Sequence, residues 1–158
     1  MSDKFEEYRK KVAGTNIDAR SLLSTDYFNH FNTVIMLLGM LPEVPGLLDE
    51  IDAWKFIDYR QHFRESGLDF APLAIEAYDY VPSKMRAKFE RKVEEISNFV
   101  EISRLGLRRL LESGDTERFA ELARRTSRDM QTMVDDGGAI VHGHDASLDQ
   151  SSVDELFP

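Results

Sequence analysis

The side chains here with the widest chemical range are four histidines, His30, His62, His142 and His144. An imidazole can ligate a metal or move a proton. A di-metal site in a helical bundle needs a Glu three residues before a His on two helices. Tyr27, Tyr59, Ala139 and Val141 occupy those positions, so no such site is expected. His142, His144 and Asp145 have the right donors, but their glycine-containing stretch would not hold them in a ligating geometry. His30 would need an exposed position to carry phosphate, and the neighbouring Phe28 and Phe31 point to a core position instead. Tyr27, His30, Trp54, Tyr59 and His62 could line a buried ligand, although the same ring density is what an ordinary core contains. No Cys is present, which removes thiolate chemistry. Nucleotide loops of the Gly-x-x-x-x-Gly-Lys and Gly-x-Gly-x-x-Gly types and a Gly-x-Ser-x-Gly elbow are absent from the sequence. No metal and no cofactor is expected. One constellation remains. Glu94 and Glu95 precede Asn98 by four and three residues, which places acid and amide on one helix face.

These residues must be positioned by helices, because apolar residues recur at steps of three and four and no stretch alternates as a strand would. Residues 3–12 read as a short polar helix ended by Gly14. Asn16 or Asp18 would cap a central helix from about Ala19 to Leu41, with Leu23, Tyr27, Phe31, Val34 and Leu38 on its stripe. Pro42 and Pro45 close it and start a helical turn through Leu47 to Trp54. Two short helices follow, joined at Gly67, with Pro72 in the first turn of the second. A long helix runs from Ser83 to Glu112, where the angle from Val93 puts Glu95 and Asn98 opposite the core stripe. Ser113-Gly114-Asp115 breaks it, and a last helix runs from Thr116 to about Val134 or a little further. So short a turn makes the two long helices antiparallel neighbours. The expected fold is all-α: a helical bundle over residues 1–138, capped by the short helices of 43–81. Phe31, Val34, Leu38, Val93, Ile96, Val100 and Phe119 should share one core. After Gly137-Gly138, residues 139–158 read as a flexible linker and a docking peptide.

With 158 residues and 42% hydrophobic residues, ten of them Phe, the chain can bury one real core. A formal charge of −9 repels phosphate backbones and anionic lipid. The basic stretches Arg104–Arg109 and Arg124–Arg128 are flanked by acids and read as ion-paired helix faces, so no nucleic-acid partner is expected. The run from Val34 to Leu38, continued only to Leu41, is too short to cross a bilayer. The N-terminal residues lack the apolar stretch of a signal peptide. A cytoplasmic location is expected.

The segment from Leu148 to Phe157 carries the clearest functional signal. Ser151 or Ser152 can cap a short helix whose first turn holds Asp154 and Glu155, favourable at the positive helix end. Leu148, Val153, Leu156 and Phe157 then gather roughly on one side. A helix this short does not persist alone; it would fold on a partner's groove.

The pattern Asp149-Gln150-x-x-Val153-Asp154-x-Leu156-Phe157 resembles the docking segment of the flagellar motor switch protein and that of the CheZ-type chemotaxis phosphatase. In both families the segment implies binding to a phosphorylated response regulator, with Leu148, Gln150, Val153, Asp154, Glu155, Leu156 and Phe157 as contact residues. Ser151-Ser152 replaces a pair that is often charged or small in those families. The resemblance implies an adaptor or regulator in bacterial two-component or chemotaxis signalling, whose helical body binds one partner or itself. It also raises an enzymatic alternative, an aspartyl-phosphate phosphatase in which an amide aligns water and an acid contacts the regulator's lysine. The CheZ family uses Asp-x-x-x-Gln, and no Gln here has an acid four residues earlier. Glu94 or Glu95 with Asn98 is the nearest substitute.

Overall fold

A computed structural model describes residues 3–143. It is all-α: seven α-helices and three short 3₁₀ turns, with no strand among the described residues. The helices are α1 (Asp3–Lys11), α2 (Asn29–Met40), α3 (Leu48–Ala53), α4 (Tyr59–Ser66), α5 (Ala71–Ala77), α6 (Ser83–Ser113) and α7 (Thr116–Val141). None is long and apolar enough to cross a membrane. The residues group into two compact units. The first comprises 3–28, 57–92 and 136–143, the second 29–56 and 93–135. Each long helix therefore supplies side chains to both.

In the second unit, α6 and α7 run antiparallel through the turn at Gly114. The N–H of Gly114 donates to Leu111 O (3.2 Å) and that of Asp115 to Leu110 O (3.2 Å), the double bond of a Schellman ending, with Gly114 at φ +78°. Asp115 then caps α7 by accepting the Arg118 N–H on its carboxylate (3.1 Å). Further along the pair, Gly106 of α6 faces Leu122 of α7. The third wall is α2, where Ser127 of α7 donates to Ile35 O (3.1 Å). Between these walls Phe31, Val34, Leu38, Val93, Ile96, Val100 and Phe119 are all buried, as the spacing of their helices predicts.

The first unit departs from the sequence reading at two places. The central helix does not begin near Ala19; α2 starts at Asn29, after a 3₁₀ turn at Thr25–Phe28. Polar side chains before it capture the backbone in a non-helical loop. Asp18 accepts the N–H of Arg20 on its carboxylate (2.7 Å), and its backbone bonds Leu22 (2.7 Å) and Leu23 (2.8 Å). Ser21 Oγ accepts the Leu23 N–H (3.1 Å) and Ser24 Oγ the Asp26 N–H (3.2 Å). Leu22 is left at φ +64°, a left-handed conformation that costs a branched residue about 1–2 kcal/mol. Complete burial of its side chain offsets that cost.

The second departure is at the end of α7. The helix continues past Val134 and through Gly137-Gly138 to Val141, so the boundary read at 138 falls inside it. Ile140 and Val141 are buried. The glycines are not a break. A Cβ on Gly137 would meet Phe28 at the ring's Cζ and, at 2.7 Å, its Cε1, whereas one on Gly138 has only Thr25 Cγ2 at 4.0 Å. Gly137 is the contact that lets α7 approach Phe28. Past the helix, His142 Nδ1 lies 2.9 Å from Asp18 Oδ2.

Two outcomes follow for stability. G137A should lower the urea midpoint by an amount equivalent to about 1–3 kcal/mol, because the ring has to move. G138A should be neutral or stabilise by up to about 1 kcal/mol through helix propensity. Equal effects would show that Phe28 is not the constraint. The second outcome concerns acid. Burial by itself raises the Asp18 pKa, but hydrogen bonds from His142 and from the Arg20 backbone and guanidinium outweigh it and hold the carboxyl below its ordinary value. Stability from this group is present above the unfolded Asp pKa of about 3.9 and is lost as pH falls through the lower folded value. Denaturation midpoints should therefore drop more steeply below that range in the wild type than in D18N.

Candidate functional site

The acid–amide pair sits where its helical angle places it. Glu94, Glu95 and Asn98 are all exposed on α6, while the alternate side of that helix carries the buried Val93, Ile96 and Val100. Neither a hydrogen bond nor an ion pair to another described residue engages the Asn98 amide, leaving both its donors and its acceptor for an outside group.

Asn98 also forms part of a cleft of about 190 Å³, lined by Ile51, Trp54, Phe56, Ser97, Asn98, Val100, Glu101 and Arg104. Two stretches build it. One is the end of α3 and the extended residues after it. The other is the middle of α6. Trp54 is held rigidly: its indole N–H donates to His30 O (3.2 Å), and its ring stacks on His30 at 4.6 Å between centroids. Phe56 is 42% exposed at the mouth. The acid of this wall is Glu101, three residues after Asn98, and not Glu94 or Glu95. Arg104 clamps Glu101 with two bonds, of 2.5 and 3.0 Å, and reaches Asp52 at 3.3 Å. Asp52 also pairs with Arg108, which reaches Asp49 at 2.9 Å. This network ties α3 to α6 and fixes the cleft's width. It also realises the ion-paired face expected for Arg104–Arg109, in Arg104 and Arg108. An apolar floor of Ile51, Trp54 and Val100 with a rim of amide, carboxylate and guanidinium suits one large, partly polar group.

The ring cluster read as a ligand pocket is divided. Tyr27, Tyr59 and His62 belong to the first unit and His30 and Trp54 to the second. In the first, Tyr27 packs against Tyr59, His62 and Phe89 at 5.7–5.8 Å, and Tyr59 stacks on Tyr78 at 4.7 Å. Rings in direct contact fill the space a ligand would need. Their polar atoms are used internally: Tyr27 OH donates to Ile57 O (2.8 Å) and Tyr59 OH accepts the Ser24 N–H (2.9 Å). Burial pushes both tyrosine hydroxyls up and the His62 imidazole down, so these groups stay neutral at pH 7. His30 is half-buried, not the core residue its neighbours suggested, because its ring covers the face of Trp54. Among the described residues no group of three or more His, Asp or Glu is arranged to hold a metal ion. The candidate docking residues Leu148, Gln150, Val153, Asp154, Glu155, Leu156 and Phe157, and His144, lie outside the described residues.

The cleft was missed from sequence. The only Trp two residues before Phe56, and Glu101 three before Arg104, were its local signals. The fifty-residue separation between them gave no reason to join the two.

Asp52, shared by two arginines and partly shielded, should matter more than Asp49, which is 82% exposed. D52A should cost about 1 kcal/mol in urea denaturation and D49A less than about 0.5. Equal losses would mean that Asp52 does not hold the two helices together. No protein-family model, curated protein or solved structure matches this chain.

Proposed function

We propose that the chain is a protein-binding regulator of a bacterial two-component or chemotaxis pathway, recruiting a receiver domain through residues 148–157. One observation carries this reading: the acidic–apolar pattern of that segment. Leu148, Val153, Leu156 and Phe157 supply anchors, and Gln150 with Val153-Asp154 matches the docking pattern best. The body supports it by what it spends on itself. Arg104 and Arg108 on α6 are engaged with the chain's own carboxylates, and the Tyr27 and Tyr59 hydroxyls with its own backbone, as expected of a scaffold.

The test is a titration of a peptide spanning Ser147 to Pro158 against a panel of receiver domains, with and without a phosphate mimic. Affinity should rise with the mimic, because the competent groove belongs to that state. Cutting Leu156 or Phe157 to Ala should cost about 1–3 kcal/mol of binding, whereas D154N and E155Q should act mainly on the on-rate and its salt dependence. Equal, weak binding to every receiver domain would reject the reading.

A second reading, aspartyl-phosphate hydrolysis, is favoured by one feature, the Asn98 amide, exposed beside an acid and engaged by no other described residue. In it Asn98 aligns the water and Glu94 or Glu95 meets the regulator's lysine. A phosphatase acting this way would lose most of its rate in N98A while the peptide affinity stayed unchanged.

A further inference from the structure

The outward face of α6 carries a second pattern, which shares only Asn98 with the cleft. Glu95, Asn98, Ile102, Leu105, Arg109 and Glu112 follow one another at steps of three, four, three, four and three, and all six are exposed. At its centre Ile102 is 71% exposed and Leu105 50%, the first being the most exposed large hydrophobic side chain among the described residues. A 3-4 spacing is the seam by which two helices interlock at a shallow crossing angle. Within the chain the opposite side of α6 already meets its neighbours through Val93, Ile96, Val100 and Leu107. Ile102 and Leu105, at the centre of the seam, take no part in that core.

Its charges specify the occupant. Glu95 and Arg109 lie seven residues on either side of Ile102, about 10 Å along the helix axis in each direction. A two-fold axis through Ile102 therefore brings Glu95 of one helix to Arg109 of an antiparallel copy, and the reverse pair forms at the other end. In a two-fold interface each contact occurs twice, so a surface must complement itself. A parallel arrangement would set Glu95 on Glu95 and Arg109 on Arg109, which like charges disfavour. Arg109 makes no ion pair with another described residue, so its charge is open to such a pairing. Asn98 within the seam is the kind of polar residue that favours one register over its slips. The seam from Glu95 to Glu112 is about 26 Å long, enough for more than two heptads.

We propose that this face is covered by a second copy of the chain, with α6 packed antiparallel on α6 about a two-fold axis at Ile102. The proposal is independent of what residues 148–157 bind.

Sedimentation velocity on the intact chain over a wide concentration series tests it. The mass should rise reversibly from 18.2 kDa towards twice that value. I102D and R109E, both at exposed positions, should keep the far-UV circular dichroism of the parent and weaken the dimer by about tenfold or more. The double exchange E95R/R109E swaps the charges on both copies at once and should restore the dimer to within about threefold of the parent. A monomer at every concentration overturns the proposal, as does a double variant no stronger than R109E. A chain ending at Gly143 should dimerise as the parent does. Loss of the dimer in that chain would assign the cover to the segment beyond Gly143 and not to a second α6.

Discussion

Gly114 and Asp115 set the constraint on which the other helices depend. A residue at φ +78° lets the last carbonyls of α6 be satisfied within two residues, and the next residue caps the first turn of α7. With no slack between them, α6 and α7 lie antiparallel in the second unit, and their facing stripes define a trough that α2 closes with Phe31, Val34 and Leu38. Because both helices are long, the N-terminal part of α6 supplies Phe89 and the C-terminal part of α7 supplies Gly137 to the first unit, where the aromatic cluster packs on the one and Phe28 on the other. A longer or looser turn would leave every one of these contacts with an entropic cost of alignment.

The cleft shows how such a frame makes a site without a catalytic motif. Helix α3 is too short to hold its own shape, so its position is set by what it touches: Ile51 in the core and Asp49 and Asp52 on the arginines of α6. Those arginines are only partly shielded, and their pairs contribute modestly to stability. Their larger effect is geometric, since two guanidinium groups sharing Asp52 leave α3 little freedom to slide along α6. Trp54 and Phe56 are consequently presented beside Asn98, and an amide with no partner among the described residues stands at the edge of an apolar floor. Such an edge can take a hydrogen-bonding group whose remainder is apolar, which suits a side chain of another protein better than an anionic metabolite on a chain of charge −9.

Two polar devices decide where regular structure stops. In residues 18–24 the side-chain oxygens of Asp18, Ser21 and Ser24 compete for backbone N–H groups and win, so a stretch with good helical spacing becomes a loop. In residues 134–141 two glycines that weaken a helix locally stay helical, because Ile140 and Val141 are buried beyond them and Phe28 needs the space of the missing Cβ. Both cases have the same form: an interaction of about 1 kcal/mol per residue, propensity, is overridden by specific bonds or by burial.

The sequence by itself determined the class and the inward faces. Steps of three and four along α2, α6 and α7 identified Phe31, Val34, Ile96, Val100 and Phe119 as core, since helical periodicity is a local property and any segment reports it alone. The breaks at Gly14, Gly67 and Gly114 and the cap at Asp115 were legible for the same reason. The exposure of Glu95 and Asn98 followed from a helical angle. What only the tertiary structure decided is which distant segments meet. That Glu101 and not Glu94 shares a wall with Asn98, that Trp54 and Phe56 form the rest of that wall, that His30 covers an indole, and that Gly137 is a contact and not a hinge all depend on pairings across tens of residues. Such pairings are chosen by the fit of whole surfaces, and no window of neighbouring residues contains them.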